Sequence, residues 1–343
     1  MRVMLGAMNR KWWVAFGLLW ALSSWAGEPV ETIQRLSGFR QLDVAQLLAG
    51  DILSERGTLM DFPNGISAQT CFAVPLPAAE VARRLTSWNP QPHPELKMLA
   101  FQVLPVPCQP ADFSALHFDS PLRPIRWLVE KTLATTPTKS VLNLSQAEAR
   151  ELSRSLAGSK DPQRLTTSWS KLLAARVTAL QQQGWAGGLP YEVADKTTSP
   201  VAQLHALLRD QAEVAMEFAP VLRTAGLLAG GSVDGALPPV YYWSWFEANH
   251  HATVTLGVVY QIQDGVRYQI ADVEYYVSGD YYAAVSLYEV WPVAGGALIW
   301  RVDLFAAPML EYTKGVERLA YEVLMVQEIK KETRCLLNDL KAK

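Results

Sequence analysis

The sequence predicts an α+β protein, a curved antiparallel sheet of about seven strands gripping a long C-terminal helix, with an all-helical insert between two β regions. Three observations predict it. First, four long β-prone runs follow one another at Thr253–Gln263, Arg267–Ser278, Tyr281–Val293 and Gly296–Ala306, separated by Asp264-Gly265, Gly279-Asp280 and Gly295-Gly296. Asp-Gly and Gly-Gly tolerate the positive φ that tight hairpins demand, so the runs form an antiparallel meander. Second, after Pro308 the apolar period becomes helical: Val316, Leu319, Ala320, Val323, Val326, Ile329, Leu336, Leu337 and Leu340 share one stripe, with Glu317, Glu322 and Asp339 off it. A helix of about thirty residues spans roughly 45 Å, a length suited to the inside of a curved sheet. Third, from about Gln109 to Pro238 the chain is rich in Ala, Leu, Arg and Gln and reads as helical throughout.

The remaining elements follow in order. Glu31–Arg56 carries Ile33, Leu36, Leu42, Val44, Leu47, Leu48 and Ile52 at loosely helical spacing, one or two short helices broken near Gly38. Ile66–Leu76 alternates as a strand and ends at Pro75-Leu76-Pro77. Pro77 opens a helix, where its missing N–H costs nothing, and Leu96–Val106 is extended again. In the insert the helical runs are Ile125–Leu133, Ser145–Leu156, Pro162–Gln183 and Pro200–Leu228. Ser145 with Glu148 is a capping box, and Asp161-Pro162 is a second helix start. Val240–Phe246, dense in Tyr and Trp, makes one more strand before the meander.

Composition bounds destination and partners. Half of the 343 residues are apolar, enough for a sizeable core, and the formal charge of −2 offers no basic face for nucleic acid. Residues 1–26 read as a secretory signal: Arg2, Arg10 and Lys11, then an apolar run Trp12–Leu22, then Ser24-Trp25-Ala26 as a cleavage site. A run of about eleven residues is short of the ~20 that span a bilayer, and no lipid-anchor cysteine follows. Loss of those three cations would bring the chain to about −5. The expected mature protein starts near Gly27 and is periplasmic or secreted, organised as an N-terminal helical extension (27–60), a main domain (61–108 and 240–343) and the insert (109–239). Cys71, Cys108 and Cys335 fit no zinc spacing. In an oxidising compartment a Cys71–Cys108 disulfide and three buried thiols are equally compatible with the sequence.

The order strand, helix, strand, insert, about five strands and long C-terminal helix resembles the helix-grip superfamily, the START-like lipid-transfer domains with the polyketide cyclases and pollen allergens. The resemblance is carried by Ala68–Trp88, where Val74-Pro75-Leu76-Pro77-Ala78-Ala79-Glu80-Val81 turns from strand straight into helix, and by Leu298–Leu340, where the last strand passes Pro308 into the closing helix. It covers about 160 to 190 residues and departs in the insert and the N-terminal extension. It implies a cavity between sheet and C-terminal helix. It also implies a non-enzymatic exported protein that binds an apolar or amphipathic small molecule or lipid. The alternatives are a cavity enzyme of cyclase or hydrolase type and an envelope interaction module whose insert binds a protein partner.

Candidate chemistry is sparse. Glu247, His250 and His251 are the one acid–His cluster, but adjacent histidines on a strand point to opposite faces, so a solvated strand start outweighs a metal site. Asp272 and Glu274 share a face, as do Arg301 and Asp303. They are either an acid/base pair in a pocket or, as the apolar Leu298, Trp300, Val302 and Leu304 on the other face favour, an outer surface of cross-strand ion pairs. A change of apolar phase in the second meander strand places a β-bulge near Ala271. The expected ligand contacts are Tyr260, Tyr275, Tyr288 and Trp300 on the sheet and Val323 on the helix, the aromatic lining of an apolar pocket. No catalytic set and no cofactor or metal motif stands out.

Overall fold

In the computed structural model, which describes residues 28–193, 196–231 and 233–342, helices and strands alternate around one large sheet. The expected leader, 1–26, lies outside these residues. Two short helices come first, α1 (28–36) and α2 (Val44–Ala49). The Asp43 carboxylate accepts from the Ala45 and Gln46 amides to start α2. Strand β1 (Ile52–Arg56) follows, where the sequence predicted a helical extension to residue 60. Five residues with two apolar side chains carry little strand signal; the ladder with β2 (Gly65–Val74) decides the conformation. Next come α3 (Ala78–Thr86), entered through Pro77, and β3 (Met98–Leu104).

The insert holds α4 (Arg123–Leu133), α5 (Gln146–Leu156) and α6 (Pro162–Gln183) at nearly the expected bounds. The capping box is made: Ser145 Oγ accepts from the Glu148 amide, and Glu148 accepts from the Ser145 amide. The insert is not all-helical. A small hairpin, β4 (Tyr191–Val193) with β5 (Lys196–Thr198), interrupts it, and the Tyr191 hydroxyl donates to the Tyr282 carbonyl at 3.0 Å, fastening the hairpin to the sheet. The last expected helix is three: α7 (Pro200–Asp210), α8 (Ala212–Glu217) and α9 (Ala219–Thr224). Pro220 lacks the amide that would continue α8 into α9.

The meander is β6 (Val240–Ala248), β7 (His251–Asp264), β8 (Arg267–Val277), β9 (Ala283–Val293) and β10 (Gly296–Ala306), and the chain closes with α10 (Gly315–Lys341). Among the described residues the main sheet has eight strands in the order β1-β2-β10-β9-β8-β7-β6-β3, antiparallel throughout and open at β1 and β3. The bulge is in β8, at Tyr275 rather than near Ala271: Gly257 pairs with Glu274 and Leu256 with Tyr276, leaving Tyr275 over. No slip is needed at Ala271, because both faces of β8 are covered and both carry apolar residues.

That two-sided cover is the main departure from the sequence reading. The insert spreads across one whole face of the sheet, together with α1 and α2, and shares a single core with it. Leu298, Trp300, Val302 and Leu304 are buried there, not under α10. Phe218 packs on Trp300 with ring centroids 5.5 Å apart, and Phe118 on Trp245 at 5.9 Å. The other face carries α3 and the C-terminal end of α10, where Val81, Leu336, Leu337 and Leu340 pack on Phe72, Val290 and Ile299. All three cysteines are buried free thiols, so Cys71 and Cys108 form no disulfide.

The 27-residue α10 does not bury the predicted stripe. Ile329, Leu336, Leu337 and Leu340 are buried, but Val316, Leu319 and Val323 face water, Val323 with 42% of its surface exposed. Glu322 is buried instead, 7% exposed, with Arg56 of β1 at 3.0 Å and Arg318 at 3.6 Å. The helix turns a polar face to the edge of the sheet because β1 presents Arg56, and the entry to β2 presents the Pro63 and Gly65 carbonyls, to which Arg318 donates.

Two stability measurements follow. Glu322→Ala strips both arginines of their partner and is expected to cost about 1–3 kcal/mol, while Val323→Asp on the exposed side stays within about 0.5 kcal/mol; denaturant melts of the two variants give the order. Phe218→Ala empties a site in the shared core and is expected to cost about 3–5 kcal/mol, lowering one cooperative transition. A separate early transition for the insert would show that the two layers fold independently.

Candidate functional site: an acidic trough on the sheet

On the face that α3 and α10 share, the sheet carries a patch of ionisable side chains between two apolar clusters. Strand alternation puts Asp272 and Glu274 of β8, Ser286 and Tyr288 of β9, and Arg301 and Asp303 of β10 on this side, beneath Glu332 of α10. The ladder sets Asp272 opposite Ser286 and Ser286 opposite Asp303, one row across three strands. These charges were expected on a water-facing surface. They sit inside because the apolar residues of the alternate positions already face the insert.

Arg301 is fully committed. Its guanidinium donates from Nε to both Asp303 oxygens at 2.9 and 2.8 Å and from the two terminal nitrogens to Glu332 at 3.0 and 3.2 Å. The Tyr288 ring lies 5.2 Å from it. The ion pairs run within β10 and up to α10, not between neighbouring strands. Ser286 adds a hydroxyl to Asp303 at 2.6 Å.

Asp272 and Glu274 are held differently. Each accepts one tyrosine hydroxyl, Asp272 from Tyr242 at 2.8 Å and Glu274 from Tyr281 at 2.6 Å, and among the described residues neither makes a salt bridge. Tyr242 reaches Asp272 because its ring lies flat across Gly257 of β7; a Cβ there would sit 2.1 Å from the tyrosine Cζ. Burial raises both carboxyls to about 7, against the tyrosine hydrogen bonds; Glu332 raises both further, and the Arg301 guanidinium draws both down. Burial also lifts the phenols of Tyr242, Tyr281 and Tyr288 well above the ordinary tyrosine value, so they remain donors at neutral pH.

Asp272 and Glu274 nonetheless keep some exposure to solvent, as do Ala284, Ser286 and Glu332 around them. This accessibility follows from the cover: α10 lies along β1 and β2, and α3 packs at one end, so the middle of β7–β9 is overlaid only in part. The flank is apolar, with Phe246, Phe305, Tyr321 and Met325 half-buried against Tyr281. We call this partly covered patch of the sheet, acidic in the middle and apolar along one flank, the trough.

The predicted ligand residues do not meet in one place. The sheet separates Tyr288, on the trough side, from Tyr260, Tyr275 and Trp300, which face the insert. Trp300 is wholly buried and donates to Gln69 at 3.2 Å; Tyr275 packs edge-on to Trp185 at 6.3 Å. Val323 points to solvent on α10. The acid–His cluster also disperses. Asn249 and His250 form the β6–β7 turn with φ of 47° and 67°; His250 approaches Glu247 at 3.5 Å, while His251 stacks on Trp127 at 3.9 Å and bonds Asp280 at 3.1 Å. A hollow of about 540 Å³ lined by Gly38, Phe39, Arg40, Gln41, Leu53 and Glu55 lies beside β1 and shares no residue with the trough. Burial pushes all three cysteine thiols up, Cys108 and Cys335 to about 12, so none is a ready nucleophile.

Comparison with protein-family models, curated proteins and solved structures returned no match. No helix among the described residues is long and apolar enough to cross a membrane.

The raised carboxyls make a pH-dependent prediction. A carboxyl with a folded-state pKa near 7 and an unfolded value near ~4 contributes stability below pH ~4 that is lost as pH rises through 7. The double variant Asp272→Asn/Glu274→Gln removes that loss. It is expected to exceed the parent in stability at pH 8 by on the order of 1 kcal/mol or more, with the gain shrinking towards pH 4. Denaturant melts of the pair across pH 4–8 measure it.

Proposed function

We propose that this chain is an exported, non-enzymatic binding protein that takes an amphipathic small molecule into the trough between the sheet and the C-terminal helix. That reading rests on the helix-grip order of elements, with α10, held to the sheet through Leu336, Leu337 and Leu340, taken as the gripped helix. The trough is not the wholly apolar pocket of the sequence reading: its acidic floor favours a ligand whose head is a cation or a cluster of hydrogen-bond donors. The observation that carries this reading is Asp272 and Glu274, partly exposed side by side, with no salt bridge to either among the described residues. Two carboxylates without a cation cost free energy in such a setting, and a cationic head would supply the missing partner. Tyr242 and Tyr281 hold the carboxylates in place, and Phe246, Phe305 and Met325 offer the ligand's apolar part a wall.

A second reading rests on the same pair. Carboxyls that titrate near neutrality are suited to take up and return a proton, so acid–base catalysis on a substrate in the trough is the enzyme alternative. The insert as a partner-binding module draws less support, since most of its large apolar side chains pack in the core it shares with the sheet.

Calorimetric titration of the mature protein with dodecylammonium and dodecanoate, equal in chain and opposite in head, tests the reading. At pH 8, where both carboxyls are ionised, the amine is expected to bind and the fatty acid not. Binding of the amine should weaken at least tenfold in Asp272→Asn/Glu274→Gln and fall off below pH 7. Equal binding of both probes, or amine binding that ignores the double substitution, would remove the proposal.

A further inference from the structure

The sequence offers no metal motif, yet the fold brings His93, Glu95 and Cys335 together from two distant segments. His93 and Glu95 flank Pro94, at the start of the 3-10 turn Pro94–Leu96 between α3 and β3, and Cys335 lies on the last third of α10. One ligand atom from each side chain lies within 4.8 Å of the other two, and Cys335 Sγ is 3.2 Å from Glu95 Oε1. We propose that these three residues bind one divalent transition-metal ion of zinc type, with a fourth position open to water.

The donor set fits that ion. Thiolate, imidazole and carboxylate are all zinc ligands, with bonds of about 2.0–2.3 Å, so two such atoms on one tetrahedral ion stand about 3.5 Å apart. The thiol and carboxylate are already at that separation. The imidazole is oriented by a carboxylate of its own: His93 Nε2 bonds Asp339 Oδ2 at 2.8 Å, and the Trp88 indole N–H donates to the same oxygen at 2.8 Å. An anion at Nε2 selects the tautomer protonated there and leaves the Nδ1 lone pair free. A histidine held at its far nitrogen by a carboxylate, which is itself hydrogen-bonded, is the usual outer shell of a zinc ligand. Cys335 is buried while Glu95 is exposed, so the ion has a route in and a desolvated sulfur to meet.

Binding would exchange a proton for a metal bond. In the free protein the Cys335 S–H donates to Glu95; on coordination the sulfur keeps its electron pair, donates it to the cation, and one proton leaves to solvent. The ion would then tie the segment after α3 to the end of α10, beside the Leu336, Leu337 and Leu340 contacts that hold that helix to the sheet. A bound ion would therefore also stabilise the fold. This inference does not depend on the trough or on its ligand.

The test uses untagged mature protein, treated with chelator and titrated with Co²⁺ as a spectroscopic stand-in for zinc. Saturation at one equivalent, with a thiolate-to-cobalt charge-transfer band and the intense visible bands of four-coordinate cobalt, is expected. Cys335→Ser should abolish the charge-transfer band. His93→Gln and Glu95→Gln should each weaken binding at least tenfold, and Asp339→Asn, which removes no ligand, about tenfold or more. Zinc should raise the melting temperature of the parent and not of Cys335→Ser, which also checks that the variant folds. Absence of saturable one-to-one binding by the parent, or a charge-transfer band that survives Cys335→Ser, would overturn the site.

Discussion

The structure depends on a sheet that is apolar on both faces and must be covered twice. All ten residues of β2 are buried, and most of β7 and β10. A half-exposed antiparallel sheet would alternate apolar and polar; one enclosed on both sides need not. Covering the second face requires more helix than α3 and α10 supply, and the insert provides it. Trp300, Trp245 and Leu298 would otherwise face water. The insert is thus one layer of a three-layer arrangement and shares a core with the sheet.

The two covers differ in chemistry. The insert side is an aliphatic and aromatic core with a few tied polar groups, among them Glu289, which has Arg267 at 2.7 Å. The α10 side is apolar at the α3 end and ionic towards the middle of the sheet. There Arg301 pairs with Asp303 and Glu332, and among the described residues no cation forms a salt bridge with Asp272 or Glu274, which feel Arg301 only from a distance. Buried charge without a partner is where a sequence departs from what folding alone would favour, and such departures gather at functional positions. That Asp272 and Glu274 keep some exposure connects the local cost to access from solvent.

Much of the fold was legible in the sequence. The meander, its Asp-Gly and Gly-Gly turns, the capping box at Ser145 and the start of α6 at Asp161-Pro162 depend on local chemistry, which a single chain displays. What escaped was decided by tertiary contacts. The ILSER segment of β1 becomes a strand because β2 offers it a ladder, and the β4–β5 hairpin is fastened by Tyr191 to carbonyls far along the chain. The α10 stripe was read from apolar spacing, but Glu322 outcompetes Val323 for the interior because Arg56 and Arg318 wait there. For the site, the shared face of Asp272 and Glu274 was plain from period two. Which face is inside was not, because both faces carry large apolar residues. The aromatic residues chosen as ligand contacts fail to converge for the same reason. His93, Glu95 and Cys335 come from separate segments, and no spacing rule could have joined them.

Whether Asp272 and Glu274 lie in a desolvated trough or on a wetted surface can be read directly from their side-chain carboxyl ¹³C resonances as a function of pH, assigned with single Asp272→Asn and Glu274→Gln variants. Midpoints near 7 for both groups are expected for carboxyls partly buried beneath Glu332 without a cationic partner. Midpoints near the ordinary ~4 of solvated carboxylates would contradict the placement of this face inside the protein, and the trough with it.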